Sequence, residues 1–259
     1  MAIDIQKPLK RYLPHLLQAR DDSLNEADTL QRVVRVLEDV LGYDLLTDIT
    51  RETQIKGGYV DLAIRLDGVT RFLIEVKAAG VTLRDRHIEQ AERYAAEGNI
   101  RWVLLTNGVN WNLYHLSFEE GIEYERAFAL DLASDTPDVA TQYLGLLHRK
   151  AITKRALESF WERRVALSPA SIGKALFTEE TLTFIRRCIR KNEGIVIDTE
   201  DLAAAMHNML STDTRELVGP VKIRRARKAK SNKQGVSRTK NVAPPAELQD
   251  PERVEPPAE

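Results

Sequence analysis

Two neighbouring segments of the chain, 59–66 and 71–77, alternate apolar and polar residues and are separated by the turn signal Asp67-Gly68. Alternation over this length is typical of half-buried β-strands, and Asp-Gly is a strong signal for a hairpin turn. The apolar positions of the two segments are Val60, Leu62, Ile64, Leu66, Phe72, Ile74 and Val76. The sequence therefore predicts an antiparallel hairpin in which these side chains share one face.

The apolar face also sets how the two strands pair, because directly paired residues point to the same side of a sheet. A two-residue loop would put Asp61 opposite an apolar side chain, on the wrong face. A three-residue or bulged turn, which pairs position 66 with position 70, keeps the apolar side chains together. This register puts Asp61 directly opposite Glu75, with Lys77 next along the strand.

Two opposed carboxylates repel each other unless a cation lies between them. Hard oxygen ligands without nearby cysteine or histidine suit Mg²⁺, with Mn²⁺ as a substitute, and Mg²⁺ commonly takes a phosphate as a further ligand. A lysine beside such a metal can orient the attacking water or stabilise charge in the transition state. Asp61, Glu75 and Lys77 therefore predict metal-dependent hydrolysis of a phosphodiester.

The segments around the hairpin predict an α/β core with a mixed sheet flanked by helices. Ser23-Leu24-Asn25-Glu26 is typical of a capping box, and the helical apolar spacing that follows ends at Gly42. A second helix is predicted at about 83–97, and three further strands are predicted at 101–106, 111–116 and 122–132. From 137 to about 217 the pattern is helical.

Several motifs together resemble those of the PD-(D/E)xK nuclease superfamily. Asp61 followed by Glu75-Val76-Lys77 resembles its D…(D/E)-x-K signature, and Gln90-Ala91-Glu92-Arg93-Tyr94 resembles its Q-x-x-x-Y motif. Over about 20–132, the chain is similar to the N-terminal nuclease domain of type I restriction enzyme R subunits. This wider likeness includes Asn25-Glu26-Ala27-Asp28, Leu104-Leu105-Thr106-Asn107-Gly108 and Trp111. One departure is Val60, which stands where the superfamily commonly has a proline before the first acid.

The resemblance implies a restriction-endonuclease-like fold and Mg²⁺-dependent endonucleolytic cleavage of DNA in a restriction or phage-defence context. It implies that Asp61 and Glu75 hold the metal and that Lys77 positions or activates the water. The core motif does not separate DNA from RNA or branched DNA.

Three further residues carry two interpretations each. Gln90 and Tyr94, which share a helical face, would support the site and the phosphate, or form an ordinary core edge. Glu26 would be a third metal-binding acid, or the N3 acid of the capping box with Ser23.

A different class of function stays open: a catalytically silent nuclease-fold module that binds DNA or assembles with a partner. The R subunits have an ATP-driven motor after the nuclease domain, whereas this sequence contains no G-x-x-x-x-G-K-[ST] motif. We therefore expect any motor or specificity subunit to be a separate chain. The sequence does not indicate the oligomeric state or the substrate preference.

Two basic regions are candidates for DNA contact. Arg84, Arg86 and Arg93 lie on or near the predicted second helix, and a basic block begins after 220 and is followed by an acidic, proline-rich end. The residues of this block that we single out are Arg224, Arg225, Arg227, Lys228 and Lys230. Such blocks bind nucleic acid in a salt-dependent manner or are simply solvated. We predict a nuclease domain at 1–135, a helical region at 136–219 and a disordered tail at 220–259.

Composition excludes several classes of protein. The single cysteine, Cys188, excludes a disulfide framework, and the five histidines are too scattered to predict a transition-metal site. No apolar run reaches the roughly 18 residues of a membrane span, and the N-terminal residues lack a secretory signal pattern. We therefore expect a cytoplasmic protein that does not interact with membranes.

Overall fold

A computed structural model describes residues 4–55, 58–119 and 121–223, while the side chains of 52–59 and of Gln90 lie outside this description. The chain divides into two compact units, Met1–Gly173 and Lys174–Glu259. No helix among the described residues is long and apolar enough to cross a membrane.

The first unit contains one six-stranded mixed sheet, whose strands lie side by side in chain order. Neighbouring strands pair antiparallel except for β3 and β4, which are parallel. The strands are β1 (Ile49–Ile55), β2 (Gly58–Leu66), β3 (Val69–Val76), β4 (Trp102–Thr106), β5 (Asn110–Ser117) and β6 (Glu123–Asp131). The predicted α/β class with a mixed sheet is confirmed, and β1 is a strand that the sequence pattern did not indicate.

Helices precede, interrupt and follow the sheet. Before the sheet lie α1 (Gln6–Asp21) and α2 (Glu26–Asp39), and between β3 and β4 lie a short 3₁₀ helix (Asp85–Ile88) and α3 (Glu89–Glu97). After the sheet follow α4 (Pro137–Leu146), α5 (Arg149–Thr153), α6 (Ala156–Ala166), α7 (Pro169–Leu176), α8 (Glu179–Glu193), α9 (Thr199–Asn208) and α10 (Thr212–Val218).

The two faces of the sheet have separate apolar cores. The main core contains the predicted apolar stripe of α2, including Val33 and Leu37, together with Phe72 and Ile74 of β3. The second core lies on the opposite face, where α3 packs through Ala91 and Ala95. This two-layer cover is what buries the central strands.

The helices directly after the sheet pack with it. Leu144 and Leu147 are buried in the main core, and the Tyr43 hydroxyl donates to the Leu147 carbonyl at 2.6 Å. Arg149 forms an ion pair with the buried Asp48. These contacts explain why the first compact unit continues to Gly173, beyond the boundary near 135 that the sequence predicts.

The second unit has its own small core, in which Phe177 and Leu182 are buried together with Leu202 and Ala203. Thr178 is the N-cap of α8, and its side chain accepts from the Thr181 amide. The predicted tail falls almost entirely outside the described residues, which end at 223 in this unit.

Candidate active site

The hairpin formed by β2 and β3 turns through Asp67 and Gly68, whose φ angles are 54° and 77°. Two consecutive positive φ angles are typical of a two-residue type I′ turn, which fits the twist of the flanking strands. Leu66 accordingly pairs with Val69. The predicted pairing of position 66 with position 70 is therefore wrong at the turn itself.

A bulge restores the predicted register beyond the turn. The pairing shifts next to Ile64, which pairs with Phe72, so that Arg71 is the extra residue on β3. From there the strands follow the register that keeps the apolar side chains on one face, as in the pair Leu62 with Ile74. The extra residue is thus taken up in the strand rather than in the loop.

One further step in this register brings Asp61 beside Glu75, at the end of the regular pairing. Here the Asp61 side chain replaces a backbone partner: its Oδ2 accepts a hydrogen bond from the Val76 amide at 2.7 Å. Val60, which was predicted to share the face of Leu62, packs in the second core instead. The strands separate at this point, and the carboxylate fills the gap in the ladder.

Glu75 is a buried carboxyl, with only 8% of its side chain exposed. Burial raises the pKa of Glu75 to about 7, and the negative charges of Asp61 and Glu26 act in the same direction. A hydrogen bond from Lys77 acts in the opposite direction. A titratable group held near neutrality by burial and a specific charge partner is typical of functional sites.

Lys77 lies between the acids. Its Nζ donates to Oε1 of Glu75 at 2.5 Å and lies 3.8 Å from Oε2 of Glu26. Burial alone would lower the pKa of Lys77, but the hydrogen bond to Glu75 and the charges of Glu75, Glu26 and Asp61 raise it above its ordinary value. Lys77 is therefore a cation at neutral pH.

The N-terminus of α2 differs from the predicted capping box, and this changes the position of Glu26 in the helix. Asn25 is the N-cap of α2, because its side chain accepts from the Asp28 amide at 2.9 Å, and Ser23 lies before the helix with a φ of 50°. Glu26 is thus the first helical residue rather than an N3 acid. Its side chain is half exposed and forms the longer ion pair with Lys77.

Whether a divalent metal ion fits at this site depends on which side chains can act as its ligands. Over the described ranges, no three histidine, cysteine, aspartate or glutamate side chains gather closely enough to hold a metal ion. Glu26 therefore does not join Asp61 and Glu75 in a three-acid group. Two neighbouring carboxylates are nevertheless a fitting donor set for Mg²⁺, which is commonly bound by one or two carboxylates, waters and a substrate phosphate.

The Q-x-x-x-Y residues lie on α3, on the same sheet face as the carboxylates. Tyr94 is half buried and packs against the second core. The side chain of Gln90 lies outside the described part of the structure, so its predicted role stays a prediction.

The predicted DNA-contact residues fall into two groups. All three arginines of the first group are exposed: Arg84 directly precedes the 3₁₀ helix, Arg86 lies within it, and Arg93 lies on α3. Arg224, Arg225, Arg227, Lys228 and Lys230 lie outside the described residues.

His87 is a residue near the site that no sequence pattern singled out. Its Nδ1 accepts from the Arg84 amide at 3.2 Å. Partial burial lowers the pKa of His87, and the neighbouring charges of Arg86, Lys77 and Arg84 lower it further. No motif marks this position, because its nearness to Lys77 depends on how the 3₁₀ helix folds back.

Residues 25–126 match the family model of the type I restriction enzyme R protein N terminus. The matched stretch contains Glu26, Asp61, Glu75, Lys77 and the Q-x-x-x-Y motif, so the resemblance stated from the sequence is confirmed over this part of the chain. No curated protein and no solved structure matches the chain.

Proposed function

We propose that the chain is a metal-dependent endonuclease that hydrolyses phosphodiester bonds in DNA as part of a restriction or phage-defence system. The observation that carries the proposal is the convergence of Asp61, Glu75 and Lys77 where β2 and β3 separate. The match of the surrounding stretch to the R-protein family model supports a nuclease-like role in restriction.

Asp61 and Glu75 are the residues that would hold Mg²⁺, with Mn²⁺ as a substitute. The bound ion would supply Lewis-acid activation of the phosphate and of a water molecule. Asp61 is already oriented, because its Oδ2 is fixed by the Val76 amide. Glu75 is oriented by Lys77, so the ammonium group and the metal would compete for the same carboxylate.

Lys77 would act as a cation in this mechanism. Although burial acts in the opposite direction, the hydrogen bond to Glu75 and the nearby carboxylates raise its pKa above the ordinary value, which favours the charged ammonium form. An ammonium group at this position would hold the scissile phosphate and stabilise the charge that develops on its oxygens. We therefore assign Lys77 electrostatic stabilisation and positioning of the water.

The remaining predicted residues have supporting parts in the proposal. Glu26 would help to hold Lys77, while Gln90 and Tyr94 would support the site and the phosphate. Exposed Arg84, Arg86 and Arg93, and the basic block after 223, would contact the DNA backbone. We propose that a separate motor or specificity subunit brings the domain to DNA in the cytoplasm.

Nicking of supercoiled plasmid by the purified chain tests the proposal. We expect nicking in Mg²⁺ or Mn²⁺, none in EDTA, and loss of nicking in Lys77→Ala. The matched control is Lys150→Ala, because Lys150 is an exposed lysine on α5 outside the candidate site. Equal nicking by Lys77→Ala and Lys150→Ala would exclude the proposed site.

The alternative is a catalytically silent module that keeps the nuclease fold and binds DNA or a partner. Salt-sensitive DNA binding without nicking, on plasmid and on single strands with either metal, would favour it. RNA cleavage without DNA cleavage would keep the chemistry and change the substrate.

A further inference from the structure

A groove of about 250 Å³ opens beyond the end of β3, next to the candidate active site. One wall is formed by the segment 79–83, which follows Lys77 in the chain, and the opposite wall by the start of β5 and the turn before it. We call it the amide groove, because its polar lining consists mainly of Asn107, Asn110 and Asn112, with Arg20 at one side.

The cross-strand register relates the amide groove to the carboxylates. Glu75 pairs with Leu105, and Leu105 pairs with Asn112. Because directly paired residues point to the same side of a sheet, Asn112 projects from the same face as Glu75, two strands away. At about 4.8 Å for each strand spacing, the separation is about 10 Å. A nucleotide next to the cleaved bond would reach the groove.

The groove is held open by its own hydrogen bonds. The Asn107 side chain donates to the Val81 carbonyl at 2.9 Å and accepts from the amides of Val109 and Asn110 at 3.1 and 2.7 Å. On the other wall, the Ala79 amide donates to the Leu24 carbonyl at 3.0 Å. Asn107 therefore has a structural role, and both walls are in place without a ligand.

Asn112 is the unusual residue of the groove. Only 8% of it is exposed, and the residues that follow on the same face of β5, Tyr114 and Leu116, belong to the second core. Other polar residues that are buried in this unit form side-chain hydrogen bonds, as Asp48 does with Arg149 and Thr106 with the Asn110 carbonyl, although the buried atoms Arg71 Nε and Thr141 Oγ1 have no partner. Among the residues that the structure describes, the Asn112 side chain has no hydrogen-bond partner. An amide in this position has its donor and acceptor available to a ligand in the groove.

From these observations we infer that the amide groove binds the edge of a nucleobase that flanks the cleaved bond, with a preference for adenine. An asparagine amide presents one donor beside one acceptor, which matches the adjacent acceptor and donor of adenine. A phosphate is a poorer fit, because the only guanidinium in the lining, Arg20, also bonds to Asp21. The inference rests on the proposed function and adds sequence preference to it.

Sequencing the cut ends of a randomised duplex pool, cleaved by the full chain in Mg²⁺, tests the inference. We expect enrichment of adenine at a fixed position within a few nucleotides of the cut, by about tenfold. In Asn112→Leu this enrichment is lost, and in Asn112→Asp it moves toward cytosine, whose exocyclic amine is a donor. The control, Asn192→Leu, changes an exposed asparagine on α8 and keeps the wild-type preference.

If wild type and both Asn112 variants give cut ends of the same base composition, the inference is overturned, while the nuclease activity itself is unaffected. If wild type does not cut at all, the proposed function fails, and the groove is then tested by binding alone. In EDTA, fluorescence anisotropy with labelled single-stranded oligomers of each base would show weaker adenine binding by Asn112→Leu than by Asn192→Leu. Equal binding by the two variants would overturn the groove assignment as well.

Discussion

The ammonium nitrogen of Lys77, the first residue after β3, lies 2.5 Å from Oε1 of Glu75, two residues before it in the chain. The Lys77 amide donates to the Thr106 carbonyl at 2.8 Å, which continues the pairing with β4 by one residue. Side chains two residues apart in extended backbone point to the same side, so the two groups can meet. Lys77 offsets part of the repulsion between Glu75 and Asp61, and it occupies an oxygen that a metal ion would use. Loss of this lysine would therefore change the charge of the site and, in the proposed mechanism, metal binding and catalysis as well.

The buried carboxyl of Glu75 predicts a pH-dependent stability. Its folded pKa, about 7, lies above its ordinary value of 4.5, so between these values the folded chain keeps a proton that the unfolded chain has lost. Stability from this group is full below about pH 4.5 and is lost as pH rises through 7. Relative to Glu75→Gln, wild type should lose up to roughly 3 kcal/mol of unfolding free energy across this window.

Urea unfolding of both proteins in EDTA, at pH 5 and at pH 8, measures this loss. A stability difference between wild type and Glu75→Gln that is the same at both pH values would contradict a raised pKa of Glu75.

Divalent metal should stabilise the folded chain through Asp61. A ligand that binds only the folded state adds about 2.7 kcal/mol at one hundred times its dissociation constant. We expect a rise in melting temperature with increasing Mn²⁺ for wild type and little or no rise for Asp61→Asn. Asparagine keeps an oxygen that accepts from the Val76 amide, so this variant removes the charge and preserves the hydrogen bond.

The matched control for the metal titration is Asp138→Asn, an exposed aspartate at the start of α4. Equal Mn²⁺-induced shifts in Asp61→Asn and wild type would place the metal elsewhere or remove it from the mechanism.

Replacement of Lys77 by methionine should distinguish the effect of its positive charge from the effect of its side-chain volume. Lys77→Met keeps most of the side-chain volume and removes the ammonium group, and we expect the nicking rate to fall about 100-fold or more, as for loss of an electrostatic stabiliser. Lys77→Arg keeps the positive charge and should retain more activity than Lys77→Met. Single-turnover nicking at saturating Mg²⁺ measures both, and equal rates for the two variants would argue against a role for the charge.

The ion pair between Asp48 and Arg149 should contribute to stability far more than an exposed pair. Asp48 is only 5% exposed in its side chain, and Arg149 Nε lies 2.6 Å from its Oδ2. Arg149→Ala leaves a buried carboxylate without its cation, and we expect a loss of about 2–3 kcal/mol at pH 7. The exposed pair of Arg35 and Glu38 gives the control, since Arg35→Ala should cost at most about 0.5 kcal/mol.

The ion pair of Asp48 and Arg149 also predicts how the stability loss in Arg149→Ala varies with pH. Burial alone would raise the pKa of Asp48, but the hydrogen bonds from Arg149 and the Asp44 amide hold it below the ordinary value of 3.8. Its contribution is therefore present above about pH 3.8 and is lost as pH falls through the lowered folded pKa. Denaturant unfolding at pH 7 and pH 3 should show the deficit of Arg149→Ala shrinking in acid, whereas a constant deficit would indicate lost packing instead.

The pairing of β2 with β3 beyond the turn followed from the sequence alone. Alternation has a period of two, so a register error of one residue would move a whole set of apolar side chains to the wrong face. This constraint is strong enough by itself to place Asp61 beside Glu75. It does not say where the extra residue goes, and the fold puts it at Arg71 rather than in the loop.

The burial of Glu75, the position of Glu26 and the surroundings of Asn112 were decided only by the tertiary structure. A local sequence pattern reflects only residues that are close together in the chain. These properties depend instead on α2, α3 and the segment 79–83, which fold back onto the sheet from elsewhere in the chain. Asn25 rather than Ser23 caps α2, which leaves the side chain of Glu26 to pair with Lys77. The sequence determined which chemical groups share a face, and long-range packing determined which of them lost contact with water.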